Sequence, residues 1–477
     1  MPNARTKNLI KETTWFAIGN FGSKILSLLL VPFYTNILST GEYGTADIIS
    51  TTVSLVIPVL TLSLQDAAFR FALDNQVDKN CVITDCLSVT ILSPIVLLLF
   101  FPLLHVALPA LAEYGWYFWG IFTFNSISSV LSCYLKGIGK SSIYAIQGIL
   151  YTFVCAACNI IFLGIIRIGI KGYLLSILIA HVLSCVFMYF AADVRKQISV
   201  SNFNFKLLKD MLKFSIPLIP ASAAWWIMSS IDRYMLLYMC GTDANGLYSV
   251  AHKLPTVVSV LTTFFINAWQ ITAVRSKDDS DICEYTSKIF ENFMAIGLGI
   301  SFAMILFSQL LGKLFFAKEF YQAWTMVPLL TVSTIFSALS LFIGAQFTTS
   351  KRSDLHLKSN IIAMASNIIL NYILIKKLGI NGAAYGTMFS YFIVLVYRQV
   401  KVQELLPLRI NKGKIYLVSI LLMSAATIIS SKLPWQYLIT LVFFAFSLIL
   451  YRKNVFEMTS SIITLFKTFF WRNRNHA

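Results

Sequence analysis

Four charged residues stand inside segments that are otherwise apolar. The segment WWIMSSIDRYMLLYMCG, residues 225–241, carries Asp232 and Arg233 side by side, and Lys24 and Lys253 lie in two further apolar runs. A charged side chain at the centre of a membrane costs about 3 kcal/mol on insertion scales. Such residues pair with one another or line the path of a charged substrate. Three bases set against few deep acids favour an anionic substrate.

The composition predicts a membrane protein. The chain has 477 residues, of which 57% are hydrophobic and 12% charged, whereas a soluble protein carries about 25% charged residues. Runs close to the roughly 20 residues needed to span a membrane recur along the whole chain. The fourteen predicted spans are 13–37, 45–69, 82–108, 114–135, 142–166, 172–192, 213–239, 246–272, 286–311, 323–348, 355–375, 380–400, 415–431 and 436–451.

The basic residues are distributed as in a polytopic membrane protein and do not indicate nucleic-acid binding. With residue 1 placed in the cytoplasm, 28 of the 38 Lys and Arg fall in cytoplasmic segments and 7 in external loops. This positive-inside bias predicts that both termini are cytoplasmic, where basic loops face anionic lipid headgroups.

Three pairs of matching segments indicate an internal duplication. They are LIKE at 9–12 with LLKD at 207–210, EYG at 42–44 with ANG at 244–246, and RIGIKG at 167–172 with KLGING at 377–382. The offsets of 198, 202 and 210 residues predict two six-helix halves. Because each half has an even number of spans, the repeats are parallel and the substrate path lies between the lobes.

The repeat divides the chain into five predicted parts. An N-lobe covers 1–192, a cytoplasmic amphipathic linker 193–212, and a C-lobe 213–400. Two extra helices follow in 401–451, and a basic cytoplasmic tail covers 452–477. The predicted fold is therefore all-α and polytopic, with about fourteen transmembrane helices.

The chain also resembles a known family. The segment 207–254, the EYG turn and LGINGAAYGT at 378–387 are similar to bacterial oligosaccharide flippases of the polysaccharide transporter group. That group belongs to the multidrug/oligosaccharidyl-lipid/polysaccharide exporter superfamily. The resemblance implies an inner-membrane flippase that moves undecaprenyl-pyrophosphate-linked oligosaccharide units outward by alternating access, for O-antigen or capsule synthesis. Membrane lipids, the lipid-linked oligosaccharide and a polysaccharide polymerase are the expected partners.

With this resemblance, the charged residues in the predicted spans are candidates for substrate binding or for charge pairing. Lys24 is either a cationic cavity wall for pyrophosphate or the partner of a carboxylate elsewhere in the bundle. Asp66 and Arg70 are four residues apart, which favours an ion pair on one helix face, and Arg70 could also meet an entering headgroup. The predicted cavity cations are Lys24, Arg70, Arg233 and Lys253, and Asp66 and Asp232 are predicted charge partners or ion-coupling groups.

The pairs Asp232-Arg233 and His252-Lys253 lie at similar depth on neighbouring helices, about 10 Å from the turn between them. We expect one acid to be shared among three cations, which leaves net positive charge. Asp232 would steady Lys253 across the hairpin, while Arg233 holds pyrophosphate. The alternative is a closed structural cluster without substrate contact.

Other functions remain open from the sequence. They are an ion-coupled multidrug antiporter or a lipid II flippase of the same superfamily, and a membrane polysaccharide polymerase. The polymerase is disfavoured because no external carboxylate pair or His cluster stands out in the short external loops. We expect no enzyme activity, no metal site and no cofactor. Coupling to an H⁺ or Na⁺ gradient is one source of energy, since no Walker A motif occurs.

Overall fold

The described part of the chain is built from helices. The computed structural model describes residues 22–74, 76–107, 109–275, 280–350 and 352–457, and these ranges contain no β-strand. Residues 22–29 are helical, and a π-helix, Ile160–Ile165, follows α6. The remaining α-helices are α1 (Val31–Ile37), α2 (Thr40–Leu60), α3 (Leu64–Ala72), α4 (Lys79–Ala107), α5 (Pro109–Gly137), α6 (Ser141–Asn159), α7 (Gly169–Ala191), α8 (Phe205–Ser215), α9 (Ile219–Cys240), α10 (Thr242–Ala251), α11 (Lys253–Arg275), α12 (Ile282–Phe315), α13 (Val327–Thr349), α14 (Ser353–Leu378), α15 (Ile380–Val402), α16 (Lys412–Ser430) and α17 (Gln436–Leu450).

The lengths and hydropathy of these helices are those of a multi-span membrane protein. Within the described ranges, ten helices are long and apolar enough to cross a membrane, or twelve if each of two bent helix pairs is one span. The predicted all-α polytopic fold is therefore confirmed. Of the fourteen predicted spans, 13–37 begins outside the described residues, and 436–451 is the fifteen-residue helix α17.

The predicted span 45–69 is wrong in its extent, because the helix breaks in its second half. Pro58 lies inside α2 and has no N–H for the helical ladder, and α2 ends two residues later. Leu62 and Ser63 then adopt positive φ angles of 53° and 52°, and the Ser63 N–H donates to the carbonyl of Pro58. Asp66 consequently belongs to the separate short helix α3.

The predicted span 246–272 is also divided, at His252 between α10 and α11. Pro255 lies in the first turn of α11, where a missing N–H is tolerated. Its ring would clash with the carbonyl of Ala251 in a continuous helix, so one helix must end before the next begins.

The chain folds into two compact units. One comprises Met1–Ser249 with Ala317–Phe320, and the other comprises Val250–Phe316 with Tyr321–Ala477. The division falls after residue 249, so the first unit holds the linker 193–212 and helix α9 as well as the predicted N-lobe. The predicted lobe limits stay a prediction, and the tail lies outside the described residues from residue 458 onward.

The linker contributes a packed amphipathic helix to the first unit. The Asn204 side chain caps α8 by accepting from the N–H groups of Lys206 and Leu207. Leu208 and Met211 are buried in a cluster with residues of α3, α4 and α5. The lysines of α8 remain exposed.

The EYG turn anchors the start of α2. Ser39 and Glu42 form a reciprocal capping box, in which each side chain binds the backbone N–H of the other residue. Glu42 also accepts from the backbone N–H of Ile170, at the start of α7. The neighbouring Tyr43 is buried and packs its ring against Tyr173.

Helices α2 and α10 cross at a point where only glycine fits on either side. A Cβ atom on Gly44 would overlap the carbonyl oxygen of Thr242, and a Cβ on Gly246 would overlap the carbonyl oxygen of Thr40. Gly44 corresponds to Gly246, and Thr40 to Thr242, at the same offset of 202 residues as the repeated turn. The contact is thus reciprocal, as expected for two copies related by a local twofold axis.

We expect Gly44→Ala or Gly246→Ala to destabilise the protein strongly, because the added methyl group must push two helix backbones apart. The thermal midpoint of the detergent-solubilised full chain should fall by at least 5 °C in either variant. Gly148→Ala in α6 is the matched control, since a Cβ there meets no atom within 4 Å. That control should match or slightly exceed the wild-type midpoint because alanine favours helix. A wild-type midpoint for Gly44→Ala would contradict the close crossing.

Candidate substrate-binding site

Polar side chains face one another along α2 and α9, two apolar helices that pack together in the first unit. Their spacing is four and three residues on α2 and four and seven residues on α9, which places them on one face of each helix. They are Asp47, Thr51 and Ser54 on α2 and Ser222, Trp226 and Arg233 on α9. Residue numbers increase along the polar face of α2 in the direction in which they decrease along that of α9, so the two faces form antiparallel strips.

Arg233 pairs with an acid that the sequence analysis did not select. Its Nε lies 3.5 Å from Oδ2 of Asp47, and its Nη1 donates to Oγ1 of Thr51 at 3.1 Å. The two charged side chains are largely buried, at 24% and 15% exposure. A guanidinium and a carboxylate held this close compensate each other where water is scarce.

Asp232 is buried on another side of α9. Its Oδ2 accepts a hydrogen bond from the hydroxyl group of Tyr248 in α10, and the residue is 5% exposed. Adjacent residues on a helix point about 100° apart, so Asp232 and Arg233 face different neighbours.

The expected charge balance of this cluster is wrong in one respect. One acid shared among three cations is the expectation from the sequence, whereas Asp47 brings a second carboxylate to Arg233. Asp47 was missed because it belongs to another helix, although its spacing to Thr51 and Ser54 was visible. The pairing of Asp232 with Lys253, which begins helix α11 of the other unit, stays a prediction.

A cavity of about 650 Å³ opens beside this strip, within the first unit. Four helices and the turn before α9 contribute its walls. The lining residues are Ser54, Ile57, Pro58, Gln65, Asp66, Asn125, Ser129, Leu218, Ser222 and Trp226. The cavity is joined to the Arg233 pair through Thr51, whose carbonyl accepts from Nε1 of Trp226 at 3.0 Å.

The lining combines neutral hydrogen-bonding groups with one large aromatic ring. Serine hydroxyls and amide groups can both donate and accept, and the largely buried Trp226 indole, 7% exposed, contributes part of its apolar ring to the lining. Asp66 is the one charged residue among the lining residues that the structure describes. The arrangement suits a ligand rich in hydroxyl or amide groups.

Asp66 and Arg70 do not form the ion pair that their spacing predicts. No ion pair joins them in the described part of the chain, and Arg70 is exposed. Asp66 instead lines the cavity, and burial raises the pKa of its carboxyl above the ordinary value of 3.8. Asp66 is therefore a cavity-lining residue and not the charge partner of Arg70.

The other predicted cations lie outside the cavity lining. Lys24 is an exposed residue of the helical segment 22–29, and Arg70 lies one turn beyond Asp66 on α3. Their contact with substrate stays a prediction, as does that of Arg233 and Lys253. The lining serines, amides and Trp226 were not selected, because neutral polar residues in apolar helices carry no distinctive spacing.

The sequence matches proteins of polysaccharide synthesis. A family model described as "Polysaccharide biosynthesis protein" matches residues 9–270. The chain is 25% identical over 228 residues to the capsular polysaccharide biosynthesis protein CapF of Staphylococcus aureus, which covers 45% of this chain and 57% of CapF. It is 23% identical over 199 residues to the probable low-salt glycan biosynthesis flippase Agl15 of Haloferax volcanii. This alignment covers 40% of this chain and 42% of Agl15. Both alignments span less than two thirds of the relative.

Solved transporter structures share the fold. The lipid II flippase MurJ in an inward closed conformation aligns with a TM-score of 0.68 at 17% identity, covering 92% of this chain and 99% of MurJ. An inward-facing multidrug resistance MATE family transporter of the MOP superfamily aligns with a TM-score of 0.60 at 15% identity, covering 80% and 98%. At these identities the likeness shows the fold alone.

Removal of either partner of the Asp47–Arg233 pair should destabilise the protein. We expect Arg233→Ala to lower the free energy of unfolding by about 2 kcal/mol, less than for a fully buried pair because both side chains keep some exposure. Asp47→Ala should cost a similar amount, and the double variant should lose less than the sum of the two. Thermal midpoints and denaturant titrations of the solubilised protein measure the effect, with exposed Arg70→Ala as control. Additive losses would show that the pair does not couple.

Asp66→Asn should not destabilise the protein at neutral pH. The folded-state pKa of Asp66 lies above its unfolded value, so its stabilising contribution is complete below about pH 3.8 and is lost as the pH rises through the folded-state pKa. At pH 7 the ionised carboxylate therefore lowers the free energy of unfolding, and the uncharged amide of asparagine removes that loss. We expect the midpoint of Asp66→Asn at pH 7 to equal or exceed that of the wild type, with the difference shrinking at pH 4. A lower midpoint at pH 7 would contradict this.

Proposed function

Because the chain belongs to the polysaccharide biosynthesis protein family, we propose that it is a flippase for polyprenyl-pyrophosphate-linked oligosaccharides. It moves repeat units from the cytoplasmic to the outer leaflet of a bacterial inner membrane by alternating access. Both termini are cytoplasmic, and a polysaccharide polymerase consumes the product. An H⁺ or Na⁺ gradient, or that consumption, drives the cycle. The similarity to CapF, a capsular polysaccharide biosynthesis protein, and to Agl15, a probable glycan biosynthesis flippase, supports this role.

The cavity beside α2 and α9 is the observation that carries the proposal. A sugar presents hydroxyl groups at its edges and a weakly polar C–H face. Asn125, Ser129 and Gln65 supply groups that can both donate and accept, and Trp226 supplies a surface on which a sugar face can stack. A volume of about 650 Å³ has room for a few sugar rings and not for a long polymer. This favours transport of single repeat units.

The diphosphate needs cationic contacts, which the cavity lining does not supply. Within the first unit we assign these contacts to Lys24 and Arg70, which are not among the described lining residues, and a contact of Lys253 with the substrate stays a separate prediction. Arg233 forms an ion pair with Asp47 and donates a hydrogen bond to Thr51, so it supports the helix that carries part of the cavity lining. The sugar and the diphosphate are therefore recognised by separate groups of residues.

One observation favours a second candidate, an ion-coupled multidrug antiporter. A carboxylate and a tryptophan in one cavity, Asp66 and Trp226, also suit an organic cation. An antiporter would change the tolerance of cells to cationic drugs and leave surface polysaccharide intact. The two candidates thus differ in a phenotype that can be measured.

The proposal is tested in the bacterium that makes the protein. Deletion of the gene should abolish one surface polysaccharide and leave its lipid-linked repeat units in the cytoplasmic leaflet, and the wild-type chain should restore the polymer. Normal polysaccharide in the deletion strain, with no other flippase substituting, would contradict the proposal. Changed drug tolerance with intact polysaccharide would support the antiporter.

Site variants extend this test to the cavity. Trp226→Ala should reduce polysaccharide export at least tenfold at matched protein level, because the stacking surface is lost. Trp226→Phe should keep most of the export, because phenylalanine retains an aromatic ring although it loses the hydrogen bond to the Thr51 carbonyl. Trp116→Ala is the control, because that side chain is 75% exposed. Equal export by Trp226→Ala and Trp116→Ala would remove Trp226 from the site.

A further inference from the structure

The charge on the cavity wall is negative and uncompensated. Among the lining residues there is one carboxylate, that of Asp66, and neither lysine nor arginine. No residue in the described ranges forms an ion pair with Asp66. The remaining lining groups are hydroxyls, amides, the indole and apolar side chains. A ligand in the cavity therefore meets no fixed positive charge from the described lining residues.

The nearest arginines do not reverse this balance. Arg233 forms its ion pair with Asp47 and donates to Thr51, so its charge is largely compensated within the strip. Arg70 follows Asp66 by one turn of α3 but is exposed and does not line the cavity. The sequence alone favoured an anionic substrate because it counted the bases in spans. Of those bases, neither Lys24 nor Arg233 is among the described lining residues.

We propose that this cavity selects neutral or amino sugars and that Asp66 is the residue that excludes sugars bearing a carboxylate. The inference rests on the proposed flippase function and defines the charge class of its sugar unit. A uronic or other carboxylated sugar would place a second negative charge beside the partly buried carboxylate of Asp66, and like charges repel. A hydroxyl or acetamido group meets serine and amide partners without that cost, and an amino sugar gains attraction.

The amide lining supports this assignment independently of Asp66. Asn125 and Gln65 can each donate and accept, which matches the paired donor and acceptor of an acetamido group. An acid-selective site would instead offer the guanidinium fork that binds a carboxylate with two hydrogen bonds. The described lining contains no such group.

The test compares two repeat units that differ at one atom group. Cells that lack their own flippase receive the full chain together with loci that build a lipid-linked unit carrying either a hexose or the corresponding uronic acid. The measurement is surface polymer and the fraction of lipid-linked units left in the cytoplasmic leaflet. We expect the wild-type chain to export the neutral unit at least tenfold more efficiently than the acidic one.

Variants assign the discrimination to Asp66. Asp66→Asn should raise export of the acidic unit at least fivefold relative to that of the neutral unit, and Asp66→Lys should favour the acidic unit. Asp210→Asn, an exposed carboxylate of α8 in the same unit, should change neither. Protein levels and thermal midpoints confirm folding, and Asp66→Asn is expected to fold normally.

Each outcome decides between the proposals. Equal export of both units by the wild type, or unchanged discrimination in well-folded Asp66→Asn, overturns the charge assignment and leaves the flippase function standing. Export of neither unit, in cells where a control flippase moves both, overturns the flippase function itself and the inference with it.

Discussion

The close crossing of α2 and α10 at Gly44 and Gly246 is the contact on which the rest of the first unit depends. A helix backbone can approach another helix this closely only where neither carries a Cβ atom. The crossing fixes the start of α2, which the Ser39–Glu42 capping box and the bond to Ile170 also hold. With α2 fixed at this end, its polar face lies along α9. Asp47 can then reach Arg233, and Thr51 can reach both Arg233 and Trp226.

The paired charges inside the membrane follow from this geometry. An unpaired guanidinium in an apolar bundle is costly, and Asp47 and Thr51 offset that cost for Arg233 from the neighbouring helix. Asp232 is stabilised separately by the hydroxyl of Tyr248. Arg233 therefore acts in part as a structural link between α2 and α9, and the described lining of the adjoining cavity carries no fixed positive charge.

The break after Pro58 has a functional consequence. If α2 had continued beyond Leu60, Asp66 would lie on the same straight helix as Pro58. The positive φ angles at Leu62 and Ser63 instead redirect the chain into α3, and Gln65 and Asp66 become part of the cavity wall. The turn at Leu62 and Ser63 thus brings both the amide of Gln65 and the carboxylate of Asp66 to the cavity wall.

Much of the architecture followed from the sequence. Hydropathy identified the helical membrane protein, because each span must be long and apolar to satisfy its backbone in lipid. The matching turns identified equivalent positions, and the structure places the glycines of one pair against each other. The spacing of Asp66 and Arg70, however, predicted an ion pair that does not form, since i,i+4 proximity permits a pair without requiring one.

The site itself was decided by tertiary structure. Asp47 and Arg233 are 186 positions apart, and no local pattern says that their helices meet. The neutral cavity residues come from four helices, and serine or asparagine in an apolar helix carries no periodic signal. The sequence determined which segments cross the membrane, because hydrophobicity is a property of each segment alone. Which polar groups converge on one cavity depends on how the helices pack, and that is a property of the fold.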